Sequence, residues 1–410
     1  MKVSSLISVL LINGTISPAF PQNLPTPPRP KFDNMPSSLA PQKDHVPKKE
    51  AFASEIAAEL QNTMAGPTRQ WVARYNFANA NLQDIPTAIT LSPNGFIGVT
   101  GYHKNAKGNW DYLTLVYNNT GGRPGVYRQT NNSDELAYGA AFNDSGIWVT
   151  GQGFGGGNQT DVFTITYAGN RQYRYDGAAH GNDGAFDIKL DAAGNFYVTG
   201  YTYRGVGVND YDIVTIKYAS NGVLVWVALY DGPGHSDDNA YELALDNAGN
   251  IYVTGYSTGK AKSKDFTTVK YNSAGVQQWV ARYNAPSDTT DIAYGIALDA
   301  NNNVYVTGYS IGAGGNFDYL TIKYNTNGVQ QWLARYNGPG LSLDGAIDIA
   351  VDPIGATPNV YVTGRSTGVN ANEDICTIKY NSAGLRQWVA RYNGLGNGHD
   401  GANRVLLGHL

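Results

Sequence analysis

Residues 291–337 read DIAYGIALDANNNVYVTGYSIGAGGNFDYLTIKYNTNGVQQWLARYN, and edited copies of this stretch return along most of the chain. Their clearest landmark is the tripeptide Val-Thr-Gly. Its glycines are Gly101, Gly151, Gly200, Gly255, Gly308 and Gly364, so successive copies lie 50, 49, 55, 53 and 56 residues apart. A repeat of about 50 residues constrains the architecture before any single residue is interpreted.

Four short runs inside this unit have the character of β-strands, at 293–298, 304–308, 318–324 and 329–336. The first run is followed by Asp-Ala-Asn-Asn-Asn and the third by Asn-Thr-Asn-Gly. β-Branched and aromatic residues in the runs suit a pleated surface, and Asn and Gly favour tight turns between strands. The unit is therefore predicted to form a four-stranded antiparallel sheet.

A single sheet of this kind cannot bury both of its faces, so the copies must cover one another. Four strands at a period of about 50 residues are typical of a β-propeller blade. The predicted fold class is all-β: a β-propeller of four-stranded blades, six complete blades plus a partial seventh. The partial blade is inferred from a copy of the fourth strand at 70–76, which lacks the preceding strands, and a copy of the first strand at 400–407.

The repeated strings carry a resemblance to a known family. They include Gly-Asn-Xxx-Tyr-Val-Thr-Gly, Asp-Tyr-Xxx-Thr-Ile-Lys-Tyr-Asn and Gln-Gln-Trp-Val-Ala-Arg-Tyr-Asn, with small variations between copies. This pattern resembles the bacterial SBBP repeat of seven-bladed β-propellers, closely over 233–400 and more loosely over 71–231. The resemblance implies a secreted or cell-surface protein of bacteria, in a family without a general enzymatic activity.

The N-terminal region differs in composition from the repeats. Lys2, the apolar run 6–12 and Ser17-Pro-Ala19 fit a secretory signal peptide over 1–19, with an uncleaved N-terminus as the alternative. Residues 20–68 are interpreted as a Pro-rich spacer and a short helix, and 69–410 as the propeller. No stretch has the roughly 18 apolar residues of a membrane span.

Overall composition argues against nucleic-acid binding and against disulfide bonds within the chain. The net charge is −4 and the cations are scattered, so nucleic acid is not an expected partner. The only cysteine, Cys376, allows no disulfide within the chain and is interpreted as a small buried apolar residue. The blades must therefore be held together by packing.

An acidic residue begins the predicted first strand in every copy. These residues are Asp84, Glu135, Asp183, Asp238, Asp291, Asp344 and Asp400. First strands line the channel of a propeller, so a ring of carboxylates could bind a cation there, and calcium is the ion that such oxygen ligands favour. The candidate metal ligands are Glu135, Asp183, Asp238, Asp291 and Asp344. The alternative is that each carboxylate bonds the backbone of its preceding loop, and no other cofactor is expected.

A nucleophile motif, Gly-Xxx-Ser-Xxx-Gly, occurs in three copies, centred on Ser257, Ser310 and Ser366. A nucleophile elbow requires a helix after the strand, whereas a loop is predicted here, so no catalytic residue is assigned.

The sequence therefore favours a secreted or cell-surface propeller that binds a glycan or protein, or serves as a scaffold, without catalysis. Recognition on a rigid scaffold usually lies in variable loops, and the connections between the second and third strands vary most. The candidate binding residues there are Tyr102, His103, Trp110, Tyr201, Tyr203 and Arg204. The alternative function is a hydrolase or lyase that uses acidic residues at the channel mouth.

Overall fold

A computed structural model describes residues 84–407 except 119, 124, 130–132, 144, 157–158, 168, 206–209, 287, 313, 341, 353–356, 370–371 and 395–397. The described residues form six antiparallel sheets, each of four strands in sequence order. The predicted signal peptide, spacer, short helix and strand at 70–76 lie outside the described part of the chain.

Each sheet is one blade, numbered here from the N-terminus. The strands of blades 1 to 3 are β1 (Asp84–Leu91), β2 (Ile97–Lys104), β3 (Trp110–Tyr117), β4 (Gly125–Gln129), β5 (Leu136–Asn143), β6 (Gly146–Gly156), β7 (Gln159–Thr166), β8 (Arg171–Tyr175), β9 (Gly184–Leu190), β10 (Phe196–Tyr203), β11 (Tyr211–Tyr218) and β12 (Leu224–Tyr230). The strands of blades 4 to 6 are β13 (Asp238–Leu245), β14 (Ile251–Thr258), β15 (Lys264–Tyr271), β16 (Gln277–Tyr283), β17 (Asp291–Leu298), β18 (Val304–Ile311), β19 (Phe317–Tyr324), β20 (Gln330–Tyr336), β21 (Asp344–Val351), β22 (Val360–Thr367), β23 (Glu373–Tyr380) and β24 (Arg386–Tyr392).

The six blades form a ring, and from blade 1 to blade 6 the first strand of each blade packs against the first strand of the blade that follows in sequence. The prediction of a partial seventh blade is wrong, because the described residues contain no strand of one and residues 401–407 form no strand. The reason is that this segment pairs with no second strand. Amides of this segment and of the residue before it donate singly to blade 6, from Asp400 to the Glu373 carbonyl (2.8 Å) and from Val405 to the Asp348 carboxylate (2.6 Å).

A β-bulge interrupts the first strand of every blade at the same point. In blade 4, Ala240 pairs with Gly255 and Glu242 pairs with Thr254, which leaves Tyr241 as the extra residue. Such a bulge bends the strand and redirects its side chains. The extra residues of the six blades are Thr87, Tyr138, Phe186, Tyr241, Tyr294 and Ile347.

The glycine of Val-Thr-Gly is required by this bulge. A Cβ added at Gly255 would lie 1.9 Å from the Asn239 carbonyl oxygen, and the other five glycines of the motif meet the equivalent oxygen at 2.0 or 2.1 Å. No side chain can occupy this space. The repeated glycine therefore permits the close approach of the first two strands.

The threonine of the motif links the second strand to the third. Thr254 and Thr268 hydroxyls lie 3.2 Å apart in blade 4, and the equivalent pairs of the other blades are 2.7–3.2 Å apart. All six motif threonines are buried. Each hydroxyl also lies within hydrogen-bonding distance of a third-strand carbonyl, as Thr254 does of the Thr267 carbonyl (3.2 Å), so these buried hydroxyls are satisfied.

Neighbouring blades are joined by shared apolar clusters and by a tryptophan of the fourth strand. The indole N–H of Trp279 in blade 4 donates to the Thr326 carbonyl in blade 5 (3.0 Å). Trp226 donates to Ser273 (3.2 Å) and Trp332 to Ser382 (3.0 Å) in the same way. The repeated tryptophan therefore connects each of these blades to the next.

Candidate functional site

Aromatic side chains from the bulges form a layer shared by the first strands. The ring centroids are 5.2 Å apart between Tyr138 and Phe186, 5.2 Å between Phe186 and Tyr241, and 4.7 Å between Tyr241 and Tyr294. These residues come from four consecutive blades. The contacts fill the inner part of the ring with packed aromatic rings.

A charged layer follows directly after the bulge. Asp187, Glu242 and Asp348 are buried there, and each accepts a hydrogen bond from a backbone amide of the next part of the ring. Arg404 donates to Glu242 (2.6 Å) and lies 3.5 Å from Asp348. Burial raises the pKa of Glu242, and the guanidinium of Arg404 opposes this shift. These charges hold blades 4 and 6 and the segment 401–407 together.

The acids at the starts of the first strands bond to the connections that precede them. One carboxylate oxygen of Asp183, Asp238, Asp291 and Asp344 accepts from the amide six residues earlier, at 2.5–2.7 Å. The other oxygen of Asp238 accepts from the Thr258 amide at 2.9 Å. Burial raises the pKa of Asp183, Asp238 and Asp291 to about 6. These contacts fix each connection above its blade.

The structure groups two of these acids, Asp183 and Asp238, with carboxylates from the preceding blade and the connection that follows it. Two clusters of described residues place three carboxylates with oxygens within 4.8 Å of one another: Asp161, Asp176 and Asp183, and Asp212, Asp231 and Asp238. Each cluster contains only one of the five residues predicted as metal ligands. The amide of Glu135 donates to the Trp110 carbonyl (2.7 Å), and its side chain is buried.

In blades 4 to 6 an arginine of the fourth strand lies beside the aspartate near the start of the third strand. Arg282 donates to Asp265 (2.8 Å) and to the Ser257 hydroxyl (2.5 Å). Arg335 and Arg391 make the same contacts with Asp318 and Ser310, and with Asp374 and Ser366. The serines of Gly-Xxx-Ser-Xxx-Gly are therefore buried partners of an arginine.

The predicted binding residues lie near the ends of β2 and β10 and the starts of the following strands. Tyr102, His103 and Tyr201 are buried, Trp110 and Tyr203 are half-buried, and Arg204 is exposed. Tyr102 contacts Trp110, while the Tyr201 hydroxyl donates to Gln152. Burial lowers the pKa of His103, whereas Asp111 opposes this shift.

The residue that precedes the repeated aspartate of the third strand differs between the blades. In blades 1 to 6 it is Trp110, Thr160, Tyr211, Lys264, Phe317 and Glu373. Trp110, Tyr211 and Phe317 are half-buried, and each meets a buried tyrosine nearly edge-on. The centroid distances are 5.2 Å from Trp110 to Tyr102, 5.4 Å from Tyr211 to Tyr201 and 4.6 Å from Phe317 to Tyr309.

Blade 4 has a cation at this position instead. Lys264 is half-buried and its ammonium lies 4.1 Å from the centroid of the Tyr256 ring. We name Trp110, Tyr211, Lys264 and Phe317 the third-strand platform. Sequence reasoning identified only Trp110, although the signal was present: this position varies while the aspartate that follows it repeats in every blade.

The six four-stranded sheets in a ring define the described part of the chain as a six-bladed β-propeller. The family model described as beta-propeller repeat, SBBP, matches residues 225–260 and 278–316. These two segments therefore match the SBBP repeat that the sequence resembles, and the described residues form six blades rather than seven.

A curated relative and two solved structures are similar over much of the chain. An uncharacterized WD repeat-containing protein, L264, of Acanthamoeba polyphaga mimivirus is 23% identical over 380 residues, covering 74% of this chain and 26% of that protein. The chain thus spans about a quarter of this relative's length.

The periplasmic gluconolactonase PpgL of Pseudomonas aeruginosa has a TM-score of 0.50 and 10% identity, covering 78% of this chain and 88% of that chain. Sqt1 from Chaetomium thermophilum has a TM-score of 0.46 and 10% identity, covering 79% and 75%. At these identities the gluconolactonase supports the propeller fold alone. Among the described residues, no helix has the length and apolar character needed to cross a bilayer.

Proposed function

We propose that this propeller is a binding module that recognises an extended ligand, a polysaccharide or a protein, through the third-strand platform. The observation that carries the proposal is the set of half-buried aromatic residues Trp110, Tyr211 and Phe317, each held by a buried tyrosine. Aromatic side chains held in this way offer large contact areas and lose little conformational entropy on binding.

The spacing of the platform favours a large ligand. Its aromatic residues lie in blades 1, 3 and 5, so an intervening blade separates each pair, and Lys264 of blade 4 adds a cation. Sugar rings present C–H groups on one face and hydroxyls at the edge, which suits aromatic faces beside charged groups. A polysaccharide is therefore the ligand class to test first.

We place the protein outside the cell or at its surface. The support for this is the N-terminal pattern of Lys2, the apolar run 6–12 and Ser17-Pro-Ala19, together with the bacterial family that the repeats resemble. Mass spectrometry of the exported protein tests the location: a mature N-terminus at Phe20 supports it, and retention of residues 1–19 inside the cell contradicts it.

The binding test uses the full chain against a panel of polysaccharides and bacterial cell envelopes. The triple variant W110A/Y211A/F317A should bind at least about tenfold more weakly, because it removes the aromatic contacts. A matched control is V276A/V329A/L385A, which truncates three equivalent residues that are 57%, 57% and 64% exposed. Thermal denaturation shows whether each triple variant is folded. Unchanged binding by the folded aromatic variant, or no binding to any sample by the wild type, contradicts the proposal.

A hydrolase is the second candidate, and one observation favours it. Burial raises the pKa of Asp212 to about 7, against the opposing charge of Arg204, and a general acid with such a pKa works well near neutral pH. If the wild type releases soluble fragments from a bound polysaccharide and D212N does not, the hydrolase is favoured. Binding without fragment release supports the binding module.

A further inference from the structure

The connection between two blades brings together three residues that recur around the ring. They are the aspartate at the start of the third strand, the first residue of the connection after the fourth strand, and the aspartate that begins the next blade. Between blades 3 and 4 these are Asp212, Asp231 and Asp238, and between blades 4 and 5 they are Asp265, Asn284 and Asp291. We call these groups junction 3–4 and junction 4–5.

The two junctions differ in charge through two replacements. At junction 4–5, Arg282 bonds Asp265 at 2.8 Å and Asn284 is neutral. At junction 3–4, Leu229 stands where blade 4 has Arg282, because Leu229 pairs with Val214 as Arg282 pairs with Thr267. Asp231 replaces Asn284. Junction 3–4 therefore gains a carboxylate and loses the guanidinium of the fourth strand.

A second observation shows that junction 3–4 is not internally satisfied. Asp212 is 0% exposed, and neither of its carboxylate oxygens has a hydrogen-bond partner among the described residues. Arg204 from the preceding connection places its Nε 3.1 Å from Oδ2, on one side of the carboxylate. Burying a carboxylate without hydrogen bonds costs free energy of folding, so a positively charged partner at the other oxygen, Oδ1, would stabilise this junction.

From this geometry we propose that junction 3–4 is a calcium site, in which Asp212, Asp231 and Asp238 bind the ion. The ion supplies the positive charge that the fourth-strand arginine supplies at junction 4–5. Their ligand oxygens lie within 4.8 Å of one another, and an ion bound at about 2.4 Å from each oxygen spans that separation. When all three carboxyl groups are ionised, they and Arg204 have a net charge of −2, which a divalent cation neutralises. Oxygen-only ligands favour calcium over transition metals.

The existing hydrogen bonds leave lone pairs on these carboxylates for an ion. The His235 ring contacts Oδ2 of Asp231 (2.9 Å), and the amides of Gly232 and Thr258 donate to Asp238. Each carboxylate oxygen has a second lone pair for a metal, and these hydrogen bonds hold the carboxylates in orientation.

The other cluster of three acids provides an internal comparison. Asp176 contacts His180 at 2.7 Å just as Asp231 contacts His235, but blade 2 retains an arginine. Arg174 lies 3.6 Å from Asp161 and donates to the Phe154 carbonyl at 2.6 Å. Arg174 holds the fourth-strand position that Arg282 holds in blade 4 and Leu229 in blade 3, so blade 2 has not lost this arginine and the proposal is confined to junction 3–4.

The test is a titration of the full chain with calcium chloride by calorimetry, combined with thermal denaturation in calcium and in EDTA. The wild type should bind one calcium ion and show a higher Tm in calcium. D231N should weaken binding at least about tenfold, because calcium affinity depends on the number of charged ligands. L229R should also weaken binding about tenfold or more, because its guanidinium would enter the ion's position.

Two controls separate this site from general surface charge. D176N removes the equivalent acid beside His180, and D288N removes an exposed acid from the connection of junction 4–5; both should bind calcium as the wild type does. L229R should keep a wild-type Tm or exceed it in EDTA, which distinguishes replacement of the ion from misfolding.

Several results would overturn the proposal. They are the absence of calcium binding at millimolar concentration, equal losses in D231N and D176N, undiminished binding by folded L229R, or an equal rise in Tm with magnesium. Because none of these measurements involves a polysaccharide, they stand apart from the test of the binding module.

Discussion

Blades 3 and 4 share the same backbone framework and inter-blade contacts but differ in the side chains of the fourth strand. Both have the motif glycine against the first strand (Gly200 and Gly255), and both donate a tryptophan to the next blade (Trp226 and Trp279). On the fourth strand, however, blade 3 has Leu224, Val225 and Leu229 where blade 4 has Gln277, Gln278 and Arg282.

The difference shows which positions the propeller constrains. A position that faces a neighbouring backbone admits one residue, since any change meets atoms that cannot move. A position that faces solvent or the junction between blades admits apolar, polar or charged residues. The comparison therefore separates residues that build every blade from residues that distinguish one blade from another.

The largest expected effect is at the shared glycine. In G255A the added Cβ would lie 1.9 Å from the Asn239 carbonyl oxygen, so the first two strands must separate. The free energy of unfolding should fall by more than about 3 kcal/mol. Denaturant unfolding measures this loss, or the soluble yield reports it if the variant does not fold.

G398A is the matched control, because a Cβ at Gly398 meets no atom within 4 Å. It should keep the wild-type stability. A wild-type Tm for G255A would show that the frame is less constrained than the comparison requires.

An intermediate effect is expected when blade 4 is changed to resemble blade 3. R282L removes the hydrogen bonds to Asp265 and Ser257, both buried, and leaves these groups without their cationic partner. We expect a loss of about 2 kcal/mol in the free energy of unfolding. Q278V makes the equivalent exchange at an exposed residue and should change stability by less than about 0.5 kcal/mol. Equal effects of the two changes would remove the distinction between junction and surface positions.

The smallest expected effect concerns the tryptophan link between blades. W279F keeps an aromatic ring but removes the N–H that donates to Thr326 at 3.0 Å, and should cost about 1 kcal/mol. The equivalent residue of blade 6, Trp388, is 38% exposed and donates to no described residue. W388F should therefore leave the Tm unchanged, and an equal loss in both variants would contradict a role for the hydrogen bond.

The strands of the repeat could be predicted closely from the sequence. The run predicted at 293–298 is observed as Asp291–Leu298, and the run at 318–324 as Phe317–Tyr324. Turn residues and alternation are local signals, so they locate strands without knowledge of the fold. The segment 400–407 was predicted as a strand from the same signals. This prediction was wrong because a β-strand also needs a neighbouring strand to pair with, and the sequence does not reveal whether one is present.

The candidate site was harder to predict for the same reason. Trp110 was identified from its variable connection. Tyr211 and Phe317 become candidates only once the blades are aligned, because they then occupy the position of Trp110 in other blades. Tyr102 and Tyr201 were expected as contact residues, and the structure places both beneath the platform. Burial depends on packing between strands, which the identity of one residue does not reveal.

The sequence by itself determined the all-β class, the four-stranded repeat and the motif glycine, because these depend on signals within about 50 residues. The tertiary structure decided the number of blades in the ring and which charged residues, distant in sequence, lie close together. Arg404 reaches Glu242 across 162 residues, and Asp212 meets Asp238 from a different blade. Such contacts arise only when the ring closes, since the blades bring together residues whose spacing along the chain carries no sign of their proximity.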